Sequence, residues 1–275
     1  MPEGDTIHRA ARTLDRALAG KIVTGFQTVL PKLERVDVDT PIAGRRVEKI
    51  EAHGKWMLMH LSGGLILLTH MLMSGSWHIY RPGEKWKAPR RDMRIVLETA
   101  DFVAVAFRVP VAEFHTEDSL RRRGGLNQLG PDVLDENFDE EKAIASLRSR
   151  PELELGDAVL NQSVLAGPGN VFKSEICFIV KLDPFRKVGT LTDVDLQTVV
   201  QTARKFMLAN ITDSAGDKIV TYTGFRRTTG RSDPYARLFV YGRAGEPCRV
   251  CGTSIEVKRQ GRDARKTYYC PQCQR

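Results

Sequence analysis

Apolar residues recur at helical spacing near the start of the chain. Ile7, Ala10, Ala11, Leu14 and Leu18 share one face of a helix predicted over 5–19. Asp5 or Thr6 can cap its start and Gly20 can end it. From Lys21 to about His115 the pattern changes to that of strands. Gly63 and Gly64 separate the apolar runs 56–61 and 65–71, a hairpin signal, and Ala100-Asp101 separates 93–99 from 102–107 in the same way. This half reads as antiparallel sheets packed face to face.

The composition shifts at Arg121-Arg122-Arg123-Gly124-Gly125, a linker signal. Helical patterns follow over 138–149, 156–165, 171–181 and 192–210. The last thirty or so residues are polar and basic. They are too few for a core of their own and are organised around cysteines, so they require a metal.

Four of the five cysteines form two C-x2-C pairs, Cys248/Cys251 and Cys270/Cys273. Zinc takes four thiolates in a tetrahedron, and a two-residue gap lets both sulfurs of a pair reach one ion. The competing reading is redox or chance pairing. Four protein ligands leave no open position, so the expected ion, one zinc, is structural. Cys177, within the apolar run 176–180, is expected to be a buried, inert thiol.

The chain has 275 residues and a formal charge of +8, which favours polyanionic partners, although such a charge also serves solubility. No apolar stretch approaches the length of a membrane span, and the start lacks a basic-then-apolar leader, so a cytoplasmic protein is expected.

The six histidines are scattered, and metalloprotease, nucleophile-elbow and P-loop patterns are absent. The start Met-Pro-Glu is more informative. Loss of Met1 would expose the secondary amine of Pro2, which can attack a sugar carbon to give an iminium, and Glu3 beside it can move protons. Many proteins begin Met-Pro without such a role. At 165–175 a Gly-Pro-Gly turn joins two predicted helices, with Asn170 placed to cap the second. The exposed N–H groups of the turn can bind phosphate, or the turn is an ordinary corner. Lys55, at a strand start, can touch phosphate or simply face water. The stretch 70–75, which includes Leu72 and Met73, offers apolar wedges or core packing.

Five segments occur in one order: Pro-Glu-Gly-Asp-Thr at 2–6, His-Gly-Lys at 53–55, the 165–175 corner, Val-Tyr-Gly-Arg-Ala-Gly-Glu-Pro-Cys at 240–248 and the four-cysteine finger. Together they resemble the formamidopyrimidine-DNA glycosylase/endonuclease VIII family over essentially the whole chain, and the start is closer to the endonuclease VIII branch. The resemblance implies an α+β protein: an N-terminal two-layer β-sandwich with flanking helices over 1–125, a helix–two-turn–helix domain over 126–240 and a zinc finger over 241–275. It implies a bacterial, monomeric base-excision repair enzyme acting on damaged double- or single-stranded DNA in the cytoplasm, with the nucleoid. Pro2 would be the Schiff-base nucleophile and Glu3 the proton donor. Lys55 would serve the first elimination and contact phosphate, and Asn170 would hold a phosphate. Arg265 would bind phosphate and serve the second elimination, while Met73, with Leu72, would fill the void left by the extruded base.

The purine-type pattern is missing at two places. The Arg-Arg-Phe wedge has no counterpart at 107–114, and the base-covering Asp-Gly-Lys-Pro-Gly loop none at 228–236. Oxidised pyrimidines are therefore the expected lesions. The arginine that endonuclease VIII members carry before the linker Gly-Pro-Asp is also absent at 128–132. A purine-preferring glycosylase of the same family and a non-enzymatic zinc-ribbon nucleic-acid binder are the alternatives.

Overall fold

The computed structural model describes residues 2–211 and 237–275. The chain divides into two compact units, Met1–Asn127 and Gln128–Arg275.

The first unit opens with helix α1, Gly4–Leu18, whose buried stripe includes Ile7, Ala11, Leu14 and Leu18, as the spacing predicts. Its N-cap is Glu3, not the expected Asp5 or Thr6, two or three residues further on. Strands β1 (Val23–Thr28), β6 (Met93–Thr99), β7 (Val103–Phe107) and β5 (Ser76–Tyr80) form one antiparallel sheet in the order β1-β6-β7-β5. The other sheet has the order β2-β3-β4-β8, from Val47–His53, Trp56–Leu61, Leu65–His70 and Val111–His115. Alternate residues supply the core between the layers. Ile95, Leu97, Ala104 and Ala106 meet Met57, Met59, Leu61 and Leu67, and α1 closes over them. Gly63 and Gly64, both at positive φ, turn the β3–β4 hairpin, and Leu61 pairs with Leu65.

Helix α2, Pro31–Asp39, interrupts the stretch predicted as strands only. Proline at its first turn fixes a helical φ and gives up an N–H that has no partner there anyway, while Leu33 anchors the helix in the core. The arginine run 121–123 straddles the end of a short helix, α3 (Glu117–Arg122), capped by Thr116.

The second unit contains α4 (Glu140–Arg148), α5 (Leu155–Leu160), α6 (Asn170–Ile179) and α7 (Asp193–Asn210) around one apolar core. Helix α7 begins at a capping box between Thr192 and Asp195. Helix α5 ends at Leu160, five residues earlier than its sequence pattern predicts. Beyond it, side chains replace the helical ladder. Asn161 Oδ1 accepts the Ser163 N–H at 3.0 Å, and Gln162 Nε2 donates to Leu160 O and Pro168 O, both at 2.9 Å. Gln162 Oε1 accepts the Gly167 N–H at 3.1 Å, so one amide holds the corner closed. Strands β9 (Glu256–Gln260) and β10 (Arg265–Tyr269) form the terminal hairpin. No helix of the described residues is long and apolar enough to cross a membrane.

Candidate active site and nucleic-acid interface

Pro2 immediately precedes α1. Glu3, at the N-cap in extended conformation, and Asp5, in the first turn, are both fully buried. Burial first, and then the neighbouring Glu3 charge, push the Asp5 carboxyl up to about 6. The Asp5 carboxylate lies 3.9 Å from the Arg9 guanidinium and accepts a long 3.4 Å hydrogen bond from Thr6. Helix α1 packs along β2 and β3, the two strands whose hairpin carries Lys55.

Lys55 lies in the two-residue turn between paired His53 and Trp56, not in the strand itself. Gly54 takes φ +59° at the first central position, where a type II′ turn needs glycine. Around this end of the sheet lie Trp56, His70 and Arg123. The Trp56 and His70 rings meet edge to face at 4.6 Å, and the Arg123 guanidinium covers Trp56 at 4.3 Å. Arg123 Nε also donates to Glu113 at 2.6 Å and holds that carboxyl below its usual range. His70 is pushed down to about 4 by burial first, then by the Lys55 and Arg123 charges.

Immediately after β4 the chain makes a tight loop. Gly75 N–H donates to Met71 O at 2.8 Å, and a Cβ at Gly75 would fall 2.6 Å from that oxygen. Leu72, at φ +46°, and Met73 project from this loop, 47% and 64% exposed. They are the only consecutive pair of exposed large hydrophobics among the described residues. Where a wedge could otherwise lie, after β7, Arg108 is exposed and paired with Asp92 at 2.6 Å.

In the second unit Asn170 is the first residue of α6, and Gly169 is its N-cap. The expected capping by Asn170 is therefore corrected. Its side chain turns to the finger instead, where Nδ2 donates to the Lys266 carbonyl at 3.0 Å. Asn170 thus meets the carbonyl of Lys266, the residue after Arg265, which is the exposed first residue of β10. Sequence reasoning missed three neighbours, Lys173, Ser174 and Glu175, which are all fully buried. The Glu175 carboxylate accepts the backbone N–H groups of Phe239, Val240 and Tyr241 at 2.8–2.9 Å. Hydropathy gave no signal for them. Their place in the motif at 165–175 was the one available clue.

The sulfur atoms of Cys248, Cys251, Cys270 and Cys273 lie within 4.8 Å of one another. The Cys248–Cys273 and Cys251–Cys270 separations are 3.9 and 3.5 Å. A tetrahedral zinc with Zn–S near 2.3 Å requires sulfurs about 3.8 Å apart, so the four thiols fit one structural zinc ion. Cys177 is buried and its thiol is pushed up to about 12, as expected of an inert cysteine. The segment 228–236 lies outside the described residues.

A sandwich bearing an N-terminal Pro-Glu, a helical corner and a four-cysteine finger define a known class. Three family models match in order: the formamidopyrimidine-DNA glycosylase N-terminal domain over 1–110, its H2TH domain over 129–221, and the zinc finger found in FPG and IleRS over 245–275. The chain belongs to this glycosylase family. Within it, the chain is 41% identical to a probable endonuclease 8 2 of Streptomyces coelicolor, covering 100% of this chain and 94% of the relative. It is 37% identical to the DNA-(apurinic or apyrimidinic site) lyase Nei2 of Mycolicibacterium smegmatis, covering 100% and 99%. The fold matches the Lactococcus lactis formamidopyrimidine-DNA glycosylase bound to DNA containing an abasic site, with TM-score 0.81, 20% identity and full coverage of both chains.

Proposed function

We infer that this protein is a base-excision repair DNA glycosylase with abasic-site lyase activity. The observation that carries the reading is Pro2-Glu3 at the start of α1, within a chain that matches endonuclease 8 relatives from end to end. Removal of Met1 leaves Pro2 as a secondary amine beside the positive end of the α1 dipole, which disfavours the ammonium form and favours the nucleophile. Attack at the anomeric carbon displaces the base and gives an iminium. That electron sink acidifies the adjacent sugar hydrogen, so β- and then δ-elimination cut the strand on both sides of the lesion. Glu3 moves the proton at the sugar or base, and Lys55 assists the first elimination.

DNA binding divides between the units. Lys55 holds phosphate beside the lesion, and Leu72 and Met73 occupy the space of the extruded nucleotide. Asn170 and Arg265 grip phosphates from the helical corner and the finger, and Arg265 also serves the second elimination. The working division is a catalytic sandwich over 1–125, a helix–two-turn–helix domain over 126–240 and a zinc finger over 241–275, acting as a monomer in the cytoplasm.

The substrates are oxidised pyrimidines in preference to oxidised purines, together with abasic sites. A ring-saturated pyrimidine stacks poorly, so it is extruded at lower cost and depends less on a fitted cover. Borohydride trapping tests the chemistry: the parent should become fixed to abasic and thymine-glycol oligonucleotides, and Pro2→Gly or a blocked N-terminus should lose most of this. Equal trapping with a blocked N-terminus overturns the nucleophile. Faster excision of an oxidised guanine than of thymine glycol overturns the preference alone.

A further inference from the structure

We propose that Lys173 is a positioning residue, a buried cation that sets Asn170 and Arg265 as one phosphate clamp. The proposal rests on the reading of those two residues as phosphate contacts.

Asn170, Lys173 and Ser174 stand at i, i+3 and i+4 of α6 and so share one helix face. That face meets three consecutive residues of β10. Asn170 Nδ2 donates to Lys266 O at 3.0 Å, Lys173 Nζ donates to Thr267 Oγ1 at 2.6 Å, and Ser174 Oγ accepts the Tyr268 N–H at 3.3 Å. Lys173 Nζ also lies 3.4 Å from the same Lys266 carbonyl that binds Asn170. One peptide oxygen therefore receives both the amide and the ammonium, next to Arg265.

Lys173 is 0% exposed, and a buried ammonium persists only where acceptors surround it. Thr267 Oγ1 donates onward to Gln260 Oε1 at 2.7 Å, and Gln260 Nε2 donates to Glu154 Oε2 at 2.9 Å and to Pro184 O at 2.7 Å. The hydrogen bonds all run one way, from the ammonium through a hydroxyl and an amide to a carboxylate. Each link polarises the next in that sense. The relay crosses from α6 through both finger strands to the N-cap of α5. It fixes the root of the hairpin on the helical corner and sets the Lys173 amine beside the clamp. A neutral side chain of similar volume would fill the space but end the relay.

The test uses the full zinc-loaded chain, an abasic-analogue duplex and an undamaged duplex of the same sequence. K173M should keep about one zinc per chain while raising the DNA concentration for half-maximal single-turnover cleavage about tenfold, more than the maximal rate falls. K173R should restore most of the loss. In a cycle with N170A, the double variant should bind DNA little worse than either single one, because both act through one clamp. If K173M fails to fold, T267V, which removes the hydroxyl that accepts from Lys173 Nζ, carries the same expectations. Unchanged half-saturation in K173M, or in T267V in its place, or strict additivity with N170A, overturns the proposal. If N170A and R265A themselves leave DNA affinity unchanged, the phosphate-clamp reading fails instead, and that result is separate.

Discussion

His70 Nδ1 accepts the backbone N–H of Leu72 at 3.0 Å, so the last residue of β4 dictates the shape of the loop that follows. Leu72 has φ +46°, a conformation that costs an ordinary L residue about 1 kcal/mol. The hydrogen bond offsets that cost and leaves the Leu72 and Met73 side chains facing solvent. It also requires an unprotonated Nδ1: the low titration point keeps the ring neutral at pH 7, and this hydrogen bond selects the tautomer with its proton on Nε2.

H70F should keep the edge-to-face packing on Trp56 yet lose the acceptor. We expect a folded protein with about 1 kcal/mol less stability and severalfold weaker affinity for an abasic-analogue duplex. Chemical denaturation and binding titration check this. Full affinity in H70F would mean that the loop holds its shape without the imidazole.

The same histidine makes stability depend on pH. It titrates at about 4 in the folded chain against 6.5 ordinarily, so the unfolded chain takes up its proton first as the pH falls. Its contribution is whole above about 6.5 and is lost progressively toward 4. Melting temperatures at pH 7 and 4.5 should therefore fall further for the parent than for H70Q. Parallel curves would contradict the assignment.

Asp5 has the opposite sign. Its carboxyl titrates at about 6 when folded and near 3.8 otherwise, so folding favours the protonated form. The contribution is fully present below 3.8 and is lost as the pH rises through 6. D5N should therefore match the parent near pH 4 and gain up to about 3 kcal/mol at pH 8, from a shift of about two pH units. Denaturation at both pH values decides it. No gain at pH 8 would mean that Asp5 is not penalised by its surroundings.

Metal removal should act on the finger alone. Elemental analysis should give about one zinc per chain, and C270S or a strong chelator should release it. DNA affinity should then fall at least tenfold, while limited proteolysis leaves the first unit intact. A finger that stays protease-resistant without zinc would contradict the four-thiolate site.

E3Q should lose base excision, because the amide cannot exchange a proton, but should still retain damaged duplex in a gel-shift titration. Joint loss of both would point to misfolding at the start of α1.

The α1 stripe, the two glycine- or turn-centred hairpins and the cysteine pairs were legible because each is a local periodicity or spacing. Helix α2 was not, since its short, mostly exposed face carries one core residue, Leu33; Pro31 was the available clue. The end of α5 was misplaced because Gln162 and Asn161 stop the helix through side-chain bonds to partners up to six residues away. The inward polar face of α6 was illegible for a related reason. Lys173 and Glu175 are accommodated by partners more than sixty residues further on, and no local pattern records a long-range acceptor or donor.

The setting of Cys177 bears on how the enzyme would withstand oxidants. The only thiol outside the finger is sealed within a helical core and kept protonated, so it presents little thiolate to peroxide. Thiol oxidation is thereby confined to the metal-binding cysteines, with Cys251 as the exposed member. An oxidant dose would release the zinc from the finger while leaving Pro2, which carries no sulfur, unmodified. Such a protein would register an oxidant first at its metal site.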